Sequence, residues 1–319
     1  MARTKAAPRA RFKFIDLFSG IGGTRLALEA AGGKCVFASE IDPNAVKTYF
    51  ANFGDIPSGD VSAIDAKTIP PFDVLCAGFP CQPFSSIGKR EGFMHATQGT
   101  MFHEILRIVQ ARGPKVLLLE NVSGLVTHDR GRTLNTIVSA LEETGYRVQY
   151  RVLDAAFYGV PQRRNRIYIV AMRKDLFSEF FAFQWPTPTE KPKTLAGIIE
   201  SGVAGYEISK HLQKSYIHKI KDGRPQIINR RNERTSVAAT LVASYHKIQR
   251  LTGTFVADGP TGLRLLTVGE CKALMGFPQG FVIPVSRTQA YRQLGNSVAV
   301  PLVAQIAKAI EKSLGASRG

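Results

Sequence analysis

Among the chain's four cysteines, one is placed where a thiol could do chemistry. Cys35 and Cys76 sit inside apolar runs, the ordinary place for a buried thiol. Cys81 follows such a run, in Gly78-Phe79-Pro80-Cys81-Gln82-Pro83-Phe84-Ser85, between two prolines that stiffen the loop. A positioned thiol beside basic residues can have a lowered pKa and act as a nucleophile. A structural thiol fits the same loop, and the cysteine alone does not decide between the two. Residues 82–100 carry Gly88, Gly92, Gly99, Lys89 and Arg90 with little periodicity, as a lid or binding loop does; a disordered connection is the alternative, less favoured because the loop starts at the candidate nucleophile. Glu120, in Glu120-Asn121-Val122, ends the most apolar run of the chain. An acid there is costly unless paired or used, and with a raised pKa it could give a proton to a ring nitrogen; a turn cap is the alternative. Gln162-Arg163-Arg164-Asn165-Arg166 puts three guanidinium groups ahead of another apolar run, suited to phosphates, to a carbonyl oxygen, or to a solvated face.

A ligand-binding turn is legible nearer the N-terminus. Asp16-Leu17-Phe18-Ser19-Gly20-Ile21-Gly22-Gly23 stands between a strand-like run and a helical pattern, so backbone N–H groups can approach a ligand at a helix N-terminus. Glu40 follows Gly20 at the distance from which an acid holds ribose hydroxyls. Arg25 occupies the place of the third glycine of a dinucleotide fingerprint, so a nucleoside ligand without a pyrophosphate fits as well, and a plain tight turn fits the same residues. Asp60, after Pro57 and Gly59, could accept from an exocyclic amine.

The elements that must carry these residues alternate. Strands are expected at 14–18, 35–39, 73–77, 115–119 and 166–171, with helices between them, including 101–110 and 133–143. That order predicts an α/β fold with a mainly parallel sheet, whose ligands sit at the C-terminal strand ends. Ser19, Glu40, Cys81 and Glu120 all fall at such ends. After Arg173 the pattern degrades. Trp185-Pro186-Thr187-Pro188-Thr189 looks like a linker, and a smaller, mostly β or irregular unit follows, with β-like runs at Thr240-Leu241-Val242-Ala243 and Gly253-Thr254-Phe255-Val256. Leu302, Ile306, Ile310 and Leu314 then mark a closing helix.

Net charge is +17, from 42 Lys and Arg against 25 Asp and Glu. Residues 210–250 hold ten Lys and Arg against only Asp222 and Glu233, so the excess is clustered, as a polyanionic partner requires. No cysteine pair or histidine cluster has metal spacing, so no metal is expected. There is no run long and apolar enough for a membrane span, and the basic N-terminus lacks the apolar stretch of a secretory signal. The expected setting is reducing and cytoplasmic.

Taken in order, five blocks resemble the C5-cytosine-specific DNA methyltransferases of bacterial restriction–modification systems over nearly the whole length. They are 14–23, 78–85, 120–122, 162–166 and Gly295-Asn296-Ser297-Val298. The resemblance implies a Rossmann-like S-adenosylmethionine-dependent methyltransferase fold. Residues 1–186 and 290–319 would form a discontinuous catalytic domain, and 187–289 a target-recognition domain and hinge. Phe18, Gly20, Gly22, Gly23, Glu40, Ile41, Asp60, Pro80, Asn296 and Ser297 would hold S-adenosylmethionine. Cys81, Glu120, Arg164 and Arg166 would surround the target base. Ser85, Lys89, Arg90, Arg230, Arg231, Arg234 and Thr240, the last in a Thr-Leu element, would meet double-stranded DNA, with the protein acting as a monomer.

These residues suit the implied reaction. Cys81 would add to C6 of a flipped cytosine, Glu120 would serve N3, and Arg164 would hold O2. The final base is not assigned. Two other readings share much of this pattern: an RNA (tRNA) cytosine-5 methyltransferase of similar architecture, and a dinucleotide-dependent oxidoreductase. The basic region after the arginine block favours DNA over RNA. The Pro-Cys-Gln-Pro loop and Arg25 disfavour the oxidoreductase, and Cys81 with Glu120 disfavours a binding module without catalysis.

Overall fold

The computed structural model describes residues 10–80, 101–178, 180–219, 224–248 and 250–316. Its first half is a six-stranded sheet in the order β2-β1-β3-β4-β6-β5. The strands are β1 (Phe12–Leu17), β2 (Gly33–Ser39), β3 (Val74–Gly78), β4 (Val116–Val122), β5 (Tyr146–Asp154) and β6 (Asn165–Arg173). β1, β2, β3 and β4 pair in parallel, whereas β6 runs antiparallel to both neighbours. β3 and β4 are almost wholly buried and read as continuous apolar text, as strands covered on both faces do.

Helices cover the two faces. α1 (Gly23–Ala30) begins in the glycine turn, and α2 (Pro43–Phe53) begins with Asp42 accepting from Asn44 N–H at 2.9 Å and ends at left-handed Gly54. On the opposite face, α3 (Met101–Arg112) and α4 (Arg132–Glu143) bury Ile105, Leu106, Ile137 and Leu141 against Leu75, Leu117 and Ile169. The expected strands and the 101–110 and 133–143 helices are all present. β5, which the alternation did not single out, is a sheet edge whose Tyr150 and Val152 are exposed.

A second sheet, β7 (Gln226–Ile228), β8 (Thr254–Val256) and β9 (Arg264–Leu265), follows the irregular stretch after β6. Thr240-Leu241-Val242-Ala243 is not a strand here. Side chains bond its backbone instead: the Leu241 N–H donates to Gln162 Oε1 at 2.7 Å, and its carbonyl accepts from Arg164 at 3.0 Å. The chain closes with α5 (Val268–Met275), α6 (Arg287–Asn296) and α7 (Val300–Ala316). α7 returns to pack on α1. One apolar cluster joins Phe12 and Val74 of the large sheet to Leu302 and Ile306 of α7 and on to Ile228 and Phe255 of the small sheet. Ile306 is fully buried there. Its replacement by Ala is expected to cost about 2–5 kcal/mol of stability, read as a lower urea midpoint, through lost transfer energy and a residual cavity.

Candidate active site

A cleft of about 910 Å³ opens at the C-terminal ends of β1 to β4. Because β6 is antiparallel, its first residues reach the same edge, and Val122 of β4 pairs with Arg166. That reversal brings an arginine block at a strand start beside acids at strand ends.

At β1 the chain turns through Phe18 and Gly20, both in the left-handed region, with φ of 56° and 55°. Phe18 carries this conformation without being glycine, a strain that tends to mark functional turns. Gly22 is also left-handed, and a side chain on it would run into the Phe53 ring. Arg25 stands one turn on, bonded to Glu29, Tyr49 and Asp55 and lying 4.4 Å above the Phe53 ring. It clamps α1 to α2 where a dinucleotide fingerprint would have glycine. Beneath the turn, burial pushes the Asp16 carboxyl up to about 8, so it stays protonated at neutral pH.

Glu40, at the end of β2, accepts from the N–H groups of Gly20, Ile41 and Asp42 at 2.8, 2.8 and 2.7 Å. A carboxylate offers about four acceptor positions, so about one is left for a ligand hydroxyl. Ile41 beside it is 73% exposed, an apolar surface on the cleft wall, and Pro80 lines the cleft too. Ser19 Oγ and Gln293 Nε2 are buried, line the cleft and have no hydrogen-bond partner among the described residues. Asp60 stands apart. It caps a short helical turn by accepting from Ser62 N–H at 2.9 Å, which holds its pKa below the usual value, and it is not among the cleft-lining residues.

Glu120 pairs with Arg166 at 3.1 Å, and Gly78 stands opposite it in the β3–β4 register. Burial pushes the Glu120 pKa above its ordinary value against the opposing pull of Arg166 and Arg164. Asn121 is buried, donates to the Phe79 carbonyl at 2.8 Å and accepts from Val122 N–H, tying the end of β4 to the segment that leads into Pro80. Cys81, Ser85, Lys89 and Arg90 lie outside the described residues.

The arginines of the 162–166 block divide. Arg163 faces outward to Asp154 at 2.9 Å. Arg164 is 2% exposed and donates to three carbonyls: Leu241 and Gly295 at 3.0 Å, and Ser297 at 2.7 Å. Burial, with Arg166 nearby, pulls its pKa down to about 10, so it remains charged at neutral pH. Its terminal nitrogens are thus engaged in holding backbone, and Arg166 is the guanidinium of the block that meets Glu120. Gln162, fully buried, donates to the Leu274 carbonyl at 3.0 Å, and Thr240 donates to the Arg163 carbonyl at 2.6 Å.

Asn296 and Ser297 line the cleft at the end of α6. Gly295 packs so closely that a Cβ on it would strike the backbone of Val242 and Ala243. Two residues missed by sequence reasoning, Arg292 and Gln293, also line the cleft. The signal for Arg292 was its helical spacing, four residues before Asn296.

Arg230, Arg231 and Arg234 occupy the turn after the C-terminal end of β7, where Arg230 bonds Ser201 Oγ at 3.1 Å. Lys219, Arg224 and Lys247 precede the N-terminal ends of β7 and β8, the end that Leu241 and Ala243 tie to the cleft. Among the described residues no group of three or more His, Cys, Asp or Glu could hold a metal ion, and no helix is long and apolar enough to cross a membrane.

The two inner arginines are expected to separate by readout. Arg164→Met should lower the thermal midpoint by an amount equivalent to several kcal/mol, since three charge-assisted bonds of about 1.5–3 kcal/mol each are lost and two elements come loose. Arg166→Met, which releases only the pair with Glu120, should lower the midpoint much less. Equal midpoints in the two variants would contradict this division.

The sequence profile of the C-5 cytosine-specific DNA methylases matches residues 12–312. Type II methyltransferase M.MspI of Moraxella sp is 58% identical over 310 residues, covering 97% of this chain and 73% of that protein. Type II methyltransferase M.HhaI of Haemophilus parahaemolyticus is 38% identical over 315 residues, covering 95% of each. Among solved structures, the S. pombe Dnmt2 methyltransferase matches with a TM-score of 0.78 at 23% identity, over 95% of this chain and 99% of that one, a likeness of fold. With a profile match from β1 into α7 and relatives aligned along almost all its length, the chain belongs to the C-5 cytosine-specific DNA methylase family.

Proposed function

We propose that this DNA cytosine-5 methyltransferase takes its methyl group from S-adenosylmethionine and works through a covalent adduct between Cys81 and C6 of a flipped cytosine. The observation that carries the reading is the Glu120–Arg166 pair at the end of β4, opposite the strand that runs into Pro80-Cys81. The cleft fits the methyl donor. Its volume is of cofactor size. Glu40 keeps room for ribose, Ile41, Phe18 and Pro80 offer apolar surface to a purine, and Ser19 Oγ and Gln293 Nε2, without a partner among the described residues, are open to polar groups. When bound, the donor supplies an electrophilic methyl on a sulfonium.

The chain's own groups do the rest. Addition of the Cys81 thiolate to C6 makes C5 an enamine carbon, able to attack that methyl. Glu120, its pKa raised by burial, holds a proton for N3 as the thiolate adds. Arg166 rather than Arg164 has a guanidinium at hand for O2, because Arg164 is committed to three carbonyls. Loss of the C5 proton then expels the thiolate and restores the ring. The similarity to Type II methyltransferases supports the modification half of a restriction–modification system. Cys81→Ala is expected to abolish transfer with the fold retained. A duplex carrying 5-fluorocytosine at the target should trap a covalent adduct only when S-adenosylmethionine is present; turnover near wild type in Cys81→Ala would overturn the reading.

Residues 187–289 carry target recognition in this proposal, on a monomer in the cytoplasm. The catalytic pocket meets one extruded base, so neighbouring pairs must be read from the groove. Arg230, Arg231 and Arg234 are the candidates by residue type, but the N-terminal end of the small sheet is the one tied to the cleft. Arg224→Ala with Lys247→Ala should flatten the salt dependence of DNA binding by about 0.9 in log–log slope for each phosphate no longer neutralised. The triple Ala variant at 230, 231 and 234 should change it less. The reverse ranking would put the DNA on the other end.

A further inference from the structure

Among the cationic side chains of the cleft wall, two have their partners. Arg164 holds three carbonyls, and Arg166 pairs with Glu120. Arg292 does not. It is exposed, lines the cleft, and meets no carboxylate or carbonyl oxygen among the described residues. Its neighbour at the start of the same helix, Arg287, is occupied: it donates to the Gly205 carbonyl and lies over the Tyr206 ring at 4.9 Å. The cleft's acid nearest the glycine turn, Glu40, already accepts three N–H groups. A guanidinium left free on a cleft wall calls for an anion from outside the protein.

We propose that Arg292 is a phosphate contact, holding the DNA backbone beside the extruded cytosine and reading no base. This rests on the DNA methyltransferase reading above. Arg292 and Asn296 are four residues apart and both exposed, so they share the face of α6 that borders the cleft. The helix stands between two surfaces. Its C-terminal end, Asn296-Ser297, lines the cofactor cleft, and Gly295 is pressed on Val242-Ala243 of the basic region. A duplex that delivers a base to Glu120 while meeting that basic region must cross near this helix. The other anion on offer is the amino-acid carboxylate of the methyl donor. Ser19, the N-terminus of α1 and Ser297 provide for it deeper in the cleft, whereas Arg292 is solvent-exposed.

The test measures two affinities on Arg292→Gln and Arg292→Lys: duplex DNA across a salt series, and S-adenosylmethionine without DNA. For Arg292→Gln the log–log salt slope should fall by about 0.9, with DNA affinity roughly fivefold weaker at about 0.15 M salt, alike for target and unrelated duplexes. S-adenosylmethionine affinity should be unchanged, and Arg292→Lys should keep the slope. Weaker S-adenosylmethionine binding with an unchanged DNA slope would make Arg292 a cofactor-carboxylate contact and overturn the proposal. So would no change in either affinity. Failure of the wild-type protein to methylate duplex DNA would instead sink the underlying reading, so the two failures are distinguishable.

Discussion

The structure depends on one buried cation. Arg164 lies inside the protein with no carboxylate bonded to it among the described residues, and three carbonyl oxygens from two segments replace its water. A guanidinium is weakly hydrated and presents a rigid fork of donors, so it suits this place better than an ammonium would. Its bonds reach Leu241 before the small-sheet strand β8, and Gly295 and Ser297 at the end of α6. The cleft wall that carries Asn296 and the segment that leads toward the basic loops are therefore fixed from the same point. Gln162 and Thr240 add bonds on either side of it. Remove the charge and each carbonyl is left buried without a donor, a cost felt in both elements at once.

Much of the site was legible because strands put their ends together. Apolar runs that stop at Phe18, Glu40, Gly78 and Glu120 become neighbouring parallel strands, and the residues at the end of each run then line one cleft. Periodicity reports that kind of order directly. It does not report direction. Nothing in the text of Ile167-Tyr168-Ile169-Val170 says that β6 is antiparallel, yet that reversal is what delivers Arg166 to Glu120. Nor does residue type separate Arg164 from Arg166, two positions apart in the sequence. One is claimed by carbonyls more than 70 residues away, a long-range fact that no local pattern carries.

The same limit explains the other differences. Thr240 to Ala243 has the composition of a strand, but its peptide groups are bonded by side chains of Gln162 and Arg164, so no ladder forms. Asp60 has the chemistry to meet an amine but uses one oxygen to cap its own turn and lies away from the cleft lining. Arg230, Arg231 and Arg234 have the chemistry of guanine readers, and they lie together in the turn that follows β7. In each case residue type names a chemistry and leaves its address open.

The shared apolar cluster limits how freely the two sheets can move apart. Side chains of the large sheet, α7 and the small sheet, such as Val74, Leu302 and Phe255, belong to one continuous core. Swinging the small sheet away from the large one would expose that core to water at about 25 cal/mol for every Å² of apolar surface uncovered. Jaw-like opening is therefore costly, and the placement of the two sheets is set when the chain folds. Any adaptation to a bound ligand therefore falls to segments outside that shared core, and the two sheets keep the spacing that their common side chains impose.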